Sequence, residues 1–368
     1  MKYLILAIVY LYVVAAAAAP ATQPVGTAPI PLIVTAGGTF AGTYTTVSIR
    51  TTAPVVLNKC TFVGPGDVIT TTTRPDLTVT DCKLTTAAPH YSVVLWSFKR
   101  FVFQHNSISG SAGVVIMDTL GGETVSILYN EVANINGVDP ATQTRTKCSA
   151  FQLDQVHSAT IEIGWNKVTN TVGKSAVEDV ISLNRSGGLP ATAPTIDRTD
   201  ATVTSPGTYA YIHDNLVDGS FQWPRPANSF SGSCIMLYDP ADGQNVNEGG
   251  FTVAYRNIAL DSDNAGIDGA GAKYLWDVAN IYCNDGTASS ISNIGMRYFN
   301  WALKTTPADF GPFFAYSNQS YCKNGTSFEF ASPQTTASGN TSPVMTDAGC
   351  RTLWAARAKA AGIVVGPN

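Results

Sequence analysis

One short phrase recurs nine times along the chain, and that recurrence constrains the fold more than any other feature of the sequence. Apolar residues alternate with polar ones, an Asn or Cys follows, and an apolar residue returns two places later. The phrase reads VVLNKCTF at Val55–Phe62, LTVTDCKL at Leu77–Leu84, FVFQHNSI at Phe101–Ile108 and VSILYNEV at Val125–Val132. It returns as TIEIGWNKV at Thr160–Val168, YAYIHDNLV at Tyr209–Val217, TVAYRNIAL at Thr252–Leu260, LWDVANIY at Leu275–Tyr282 and FAYSNQSY at Phe314–Tyr321. The anchor residues are Cys60, Cys82, Asn106, Asn130, Asn166, Asn215, Asn257, Asn280 and Asn318, with successive gaps of 22, 24, 24, 36, 49, 42, 23 and 38. A smallest spacing of about 23, lengthened elsewhere by insertions, is what stacked coils of short strands produce. No coil buries its apolar face alone; stacking joins those faces into one core.

The expected fold is all-β: a single-stranded right-handed parallel β-helix solenoid of about nine coils with a short C-terminal helix. After each anchor a second strand is expected, as in GVVIMD (Gly113–Asp118), AFQLD (Ala150–Asp154), DVISL (Asp179–Leu183), CIMLY (Cys234–Tyr238) and IGMRY (Ile294–Tyr298). Period-two alternation places Val115, Phe151, Ile181 and Ile235 in one inward column, and Met117, Leu153, Leu183 and Leu237 in another. In the anchor column, Asn suits a left-handed turn residue, and stacked amides can bond from coil to coil. Cys60 and Cys82 share that column in adjacent coils, ~4.8 Å apart, which suits a disulfide.

Three segments are expected: a leader over 1–19, the β-helix over 20–345, and a helix with its tail over 346–368. The leader reads as a secretory signal peptide, with Lys2, an apolar run from Tyr3 to Val14 and small residues Ala15–Ala19. It implies a secreted, extracellular or periplasmic protein. Seven cysteines without a C-x-x-C pair fit structural disulfides there, with at least one cysteine outside any intrachain pair. Thr35–Tyr44 reads as an entry strand. In the terminal helix, Thr346–Ala361, Asp347 is the expected cap, Leu353 and Trp354 face inward, and Gly362 ends it; such a helix would shield the open end of the stack.

Charge excludes one class of partner. Charged residues are 13% of the chain and the net charge is −4, with no basic face for nucleic acid. The expected partner is a polysaccharide, with no membrane once the leader is removed, and the expected state is a monomer. Insertions concentrate between Asn130 and Asn257, where they should wall a groove. Trp223, with Pro224 and Pro226, lies in one of them and suits stacking on sugar rings. The expected outward row beside them runs through Asp118, Asp154, Asn184, Tyr238 and Asp239, with Asp268 one coil further. Coil spacing offers carboxylate separations of about 4.8 and 9.6 Å, both usable for glycoside hydrolysis. For β-elimination on a uronate polymer, Lys174, Arg185 and His213 are candidate bases and cations, and Glu178, Asp179 and Asp154 are candidate calcium oxygens.

The ninefold phrase, the leader and the Asn column resemble the pectate-lyase-like β-helix superfamily of extracellular polysaccharide lyases and hydrolases, over roughly Thr35–Pro333. The run from Glu178 to Gly187 is similar to the double-acid strand of the polygalacturonase family, which implies proton transfer and water activation by Glu178 and Asp179. That family's Gly-His-Gly and Arg-Ile-Lys motifs are absent. The same run resembles the acidic, calcium-linked strand of alginate-type lyases, which implies Lys174 or Arg185 as base and charge neutraliser. The candidate catalytic residues are therefore Asp179, Glu178, Arg185, Lys174, Asp154 and Asp239, and the candidate substrate-binding residues Trp223, His213, Asp268 and Tyr238. The expected activity is elimination on an acidic polysaccharide; glycoside hydrolysis and glycan binding without catalysis are the alternatives. Asn184, Asn318, Asn324 and Asn340 open glycosylation sequons, relevant in a eukaryotic host.

Overall fold

The computed structural model describes residues 21–22, 29–117, 124–221, 232–239, 250–270, 273–286, 294–299, 312–330 and 335–368; the expected leader, Asp118 and Trp223 lie outside them. The chain winds as a parallel β-helix, and one coil shows the rule. Arg100–Gln104 forms a first face, Ser107–Ser109 a second and Gly113–Met117 a third. Thr124–Leu128 then starts the next coil in parallel register on Arg100–Gln104. First-face strands stack in this way from Asp76–Thr80 to Thr335–Ser338, and third-face strands from Ile69–Thr71 to Thr326–Phe330. Three strands, not two, therefore make each coil between successive anchors. The short second-face strand directly after each anchor overlaps the tail of the recurring phrase, as Ser107–Ser109 does.

The left-handed turn falls one residue earlier than expected. Positive φ belongs to the residue before each anchor: 53° at His105, 61° at Tyr129, 54° at Trp165, 52° at Asp214 and 68° at Gly339. That residue bends the chain, and the anchor after it points inward; Asn106, Asn130, Asn166, Asn215, Asn257, Asn280 and Asn318 are all fully buried. The Asn106 backbone N–H and Nδ2 both donate to Asn130 Oδ1, at 2.9 and 3.1 Å, and Nδ2 also donates to the Val79 carbonyl at 3.0 Å. The same pattern repeats through Asn166, Asn215 and Asn257. It satisfies buried backbone groups that no strand pairing reaches. The column continues one rung beyond the ninefold phrase: Asn318 N–H donates to Asn340 Oδ1 at 2.9 Å.

Cys60 and Cys82 are free thiols, contrary to the expected disulfide. In a parallel stack both side chains leave the backbone in the same direction, and each sulfur is engaged with main chain. Cys82 Sγ accepts the Cys60 N–H at 3.3 Å and donates to the Leu57 carbonyl at 3.5 Å. The disulfide instead joins Cys283, on a second-face strand, to Cys350 in the C-terminal helix.

Inward residues build one core along the axis. Phe151, Ile181, Ile235, Ile267 and Met296 lie in register, each fully buried. Burying an Ile or Leu in such a column contributes about 1.5–3 kcal/mol. The coil carrying Val115 is displaced from expectation by one residue. Gly113 faces Ser149 while Val114 faces Phe151, so Ala150 is an extra residue, a β-bulge. Val114 and Ile116 consequently point inward, while Val115 and Met117 take outward positions.

The C-terminal helix, Asp347–Ala360, is capped by Thr346, whose side chain accepts from Gly349 N–H, rather than by Asp347. It lies along the second face and not over the open end. The cause is a change in the outward column there: Ser107, Glu131 and Lys167 are followed in register by Leu216, Ile258 and Ile281. Those apolar side chains pack with Trp354 and Ala358 in a second cluster, and Leu353 faces solvent. Arg351 donates to Asp218 at 2.6 and 2.8 Å, and Trp354 Nε1 to the Asp214 carbonyl at 2.7 Å. Beyond Gly362 the tail runs back along the stack, with Gly366 N–H on the Tyr129 carbonyl and Asn368 N–H on Asp81.

Candidate functional site on the third face

Third-face strands Ser149–Asp154 and Ile181–Asn184 stack with Phe151 on Ile181 and Leu153 on Leu183. Alternation then turns Gln152, Ser182, Asp154 and Asn184 outward. Just before these strands the chain rounds a corner from which Lys147, Glu178 and Asp179 project. Lys147 Nζ is 3.3 Å from Glu178 Oε1, with side-chain exposures of 78% and 21%. Asp179 is buried, and its Oδ1 accepts the Ser233 N–H at 2.9 Å, which ties it to the following coil. Lys147, Gln152, Glu178, Asp179, Ser182 and Asn184 line one shallow polar depression.

At the far end of the strand, Arg185 has φ 47°, and this left-handed bend turns its side chain back along the stack. Its Nη2 donates to Asp154 Oδ1 at 2.9 Å, and both side chains are 14% exposed. Asp154, Asn184 and Asp239 are in register in successive coils, so the backbones carrying the two acids stand about 9.6 Å apart. Trp96 belongs to the same outward column. It directly follows Val93–Leu95, whose Leu95 is in register with Ile116, and Ile116 with Leu153. Trp96 is 65% exposed.

The structure thus pairs Asp154 with Arg185 at one end of these strands, sets Glu178 and Asp179 beside Lys147 at the other, and places the Asp239 backbone in line with Asp154. It separates the rest. Lys174 is exposed in the turn after Lys167–Thr169, and its ammonium joins none of these acids. Asp268 is fully buried beneath the surface, held by Arg297 at 3.1 and 2.5 Å and by the Ser233 hydroxyl at 3.2 Å. Ser233 therefore bridges Asp268 to Asp179, and Asp268 supports the site rather than facing a ligand. Tyr238 is also fully buried: Ser182 pairs with Met236 and Asn184 with Asp239, so Leu237 and Tyr238 both crowd opposite Leu183. His213 stands on the first face. Glu178, Asp179 and Asp154 form no calcium cage; among the described residues no three His, Cys, Asp or Glu side chains are grouped to share an ion.

Lys147 and Trp96 escaped the sequence reading. Setting Phe151 against Ile181 places Lys147 within one position of Glu178, which was the available signal. Trp96 carried a weaker one, an aromatic residue directly after an apolar triplet. No family model, no curated protein and no solved structure matches the chain.

A lysine ammonium and two carboxylates thus border one open depression, and the carboxylate-held Arg185 guanidinium lies beyond it at the other end of the strand. An ammonium can neutralise charge on a sugar acid, and a neighbouring carboxylate can take a proton.

Proposed function

We propose that the protein is a secreted carbohydrate-active β-helix that lays an acidic polysaccharide along its third face and cleaves it by β-elimination. The observation that carries this reading is the pairing of Lys147 with Glu178 at 3.3 Å in a solvent-open depression, beside an axial column that also holds Asp154 and the exposed Trp96. In β-elimination a base removes the proton next to the uronate carboxylate, and a cation stabilises the resulting enolate. Here Lys147 meets the uronate carboxylate and Glu178 accepts the proton. The bond to the leaving sugar oxygen then breaks, a carbon–carbon double bond forms, and the leaving oxygen takes a proton from solvent. Trp96 offers its ring face to a sugar further along the chain. Resemblance to the pectate-lyase-like superfamily supports the substrate class.

The test is incubation with a panel of uronate and neutral polysaccharides. Ultraviolet-absorbing unsaturated products are expected from a uronate polymer. New reducing ends without that absorbance would replace elimination with hydrolysis. Binding with neither signal would leave a glycan-binding protein and remove the enzymatic reading.

A further inference from the structure

The first face carries a second cluster of chemistry that the third-face reading does not use. Thr160–Gly164 and Ala210–His213 are neighbouring first-face strands, with Glu162 in register with Tyr211 and Gly164 with His213. Glu162 Oε1 lies 3.0 Å from His213 Nε2, and His213 Nδ1 lies 3.0 Å from Asp214 Oδ2. Asp214 Oδ1 in turn accepts from Arg256 Nε at 2.7 Å. His213 and Asp214 are buried, while the Glu162 side chain is 37% exposed. The imidazole leans over Gly164, where an added Cβ would stand 2.3 Å from Nε2. Any larger residue would push the ring away from Glu162.

Above this chain of charges lies a cleft of about 220 Å³ lined by Thr160, Ile161, Glu162, Pro206, Tyr209 and Tyr211. One wall comes from the longest insertion, which leaves the third face after Asn184. It forms the antiparallel hairpin Thr195–Asp197 with Thr202–Ser205 and crosses the first face, where Arg198 sits over Trp276, Phe314 and Tyr316. Tyr211 stacks on His213 with ring centroids 4.2 Å apart. Tyr209, Phe251 and Tyr274 extend an aromatic surface from the cleft, at centroid distances of 5.2 and 5.6 Å.

We propose that this cleft binds one neutral sugar ring, its C–H face on the tyrosine rings and its hydroxyls on the Glu162 carboxylate. The volume is below the ~300 Å³ of a drug-sized pocket and suits a single ring. Apolar rings on one side and an acceptor on the other match a pyranose, which has an apolar face and a hydroxyl rim. Burial works against charge on His213, but hydrogen bonds and attraction from Asp214 and Glu162 outweigh it and raise its pKa above the ordinary histidine value. A proton on His213 offsets the charge of Glu162, and Arg256 offsets that of Asp214. Glu162 keeps free lone pairs for hydroxyl donors while offering little net attraction to an amine.

Saturation-transfer NMR and titration calorimetry on the whole chain would test this, using methyl β-D-glucopyranoside, methyl α-D-mannopyranoside, methyl β-D-galactopyranoside and N-acetyl-D-glucosamine as probes. At least one is expected to bind. Glu162→Gln should weaken it about tenfold, the loss of one charge-assisted hydrogen bond. Tyr211→Phe should retain binding and Tyr211→Ala should lose it. Glu178→Gln and Asp179→Asn should leave it unchanged, which separates this site from the third-face one. The proposal is overturned if no probe binds or if Glu162→Gln binds as the parent does. It is likewise overturned if D-glucosamine binds more than tenfold tighter than D-glucose, which would mark an amine site.

Discussion

The backbone N–H of Cys60 donates to the Sγ of Cys82 at 3.3 Å, the place taken by an asparagine Oδ1 in the coils that follow. The next rung up is already the standard one, with Cys82 N–H on Asn106 Oδ1 at 3.0 Å. Sulfur here is a poorer amide, not half of a cystine. Cys82→Asn should therefore hold or raise stability. Cys82→Ala should lower it by about 1–3 kcal/mol, because a buried donor and a buried carbonyl lose their partners. Urea denaturation measures both. Thiol titration should find the five free cysteines unreactive in the native chain and all reactive after unfolding.

Position along the amide column sets the cost of breaking it. Asn166 accepts from Asn130 and donates to Asn215 and the Ile127 carbonyl, so Asn166→Ala strands several buried groups. A loss of about 3 kcal/mol or more is expected. Asn340 ends the column and is only half-buried, so Asn340→Ala should cost about 1 kcal/mol. Equal losses in urea melts would contradict a ladder whose rungs differ in burial.

On the third face, Glu178→Gln should lower kcat/KM by about 10²–10⁴-fold, the range for a lost general base. Lys147→Ala should cost about 10²–10³-fold, as for a lost transition-state charge partner. Asp179→Asn keeps an oxygen for the Ser233 N–H and so tests charge alone; its circular dichroism should match the parent. Unaltered kinetics in Glu178→Gln would take that residue out of the reaction.

Asp277 sits in the inward first-face column, fully buried between Ala254 and Ala315, with hydrogen bonds from Tyr298 and Asn280. Burial pushes its carboxyl up to about 7, against the opposing effect of those hydrogen bonds. An unfolded aspartate titrates near 4, so the folded chain holds an extra proton between about 4 and 7. The Asp277 contribution to stability is full below that window and is lost as pH rises through 7. Unfolding midpoints from pH 4 to 8 should show the decline, and Asp277→Asn should flatten it; an unchanged slope would place its origin elsewhere.

The Cys283–Cys350 disulfide closes a loop with a sequence separation of 67 and pins the C-terminal helix to the second face. Cys350→Ser should lower stability by about 2–4 kcal/mol. It should also increase hydrogen exchange in the helix, over Leu260 and Ile281, more than in the Asn ladder. Uniform loosening would mean that the helix is not a separate layer.

Much of this was legible in residues. The alternation of Phe101 and Phe103, or of Ile161 and Ile163, announced inward columns, and the asparagine spacing announced the stack. The one-residue slip at Val115 was not legible, because a bulge at Ala150 changes register without changing composition. Tyr238 failed for the same reason. The helix had a readable seat in the change from Ser107, Glu131 and Lys167 to Leu216, Ile258 and Ile281, but a seat shows no occupant until Trp354 is seen on it. Glu178 and Asp179 were found from their place at a strand start. Lys147 lies one position off Glu178 in the register already set by Phe151 on Ile181, and only the corner geometry before the strands shows that its ammonium reaches that acid.

The sequence by itself determined the repeat, the inward columns and the amide ladder, since each follows from local periodicity copied from coil to coil. Tertiary structure alone decided which outward residues meet. Lys147 with Glu178, Glu162 with His213 and Arg351 with Asp218 are separated by 31, 51 and 133 positions. Side chains on a coil's outer surface are neighbours only through the stacking register. A single bulge or insertion resets that register, and no property of either residue records it.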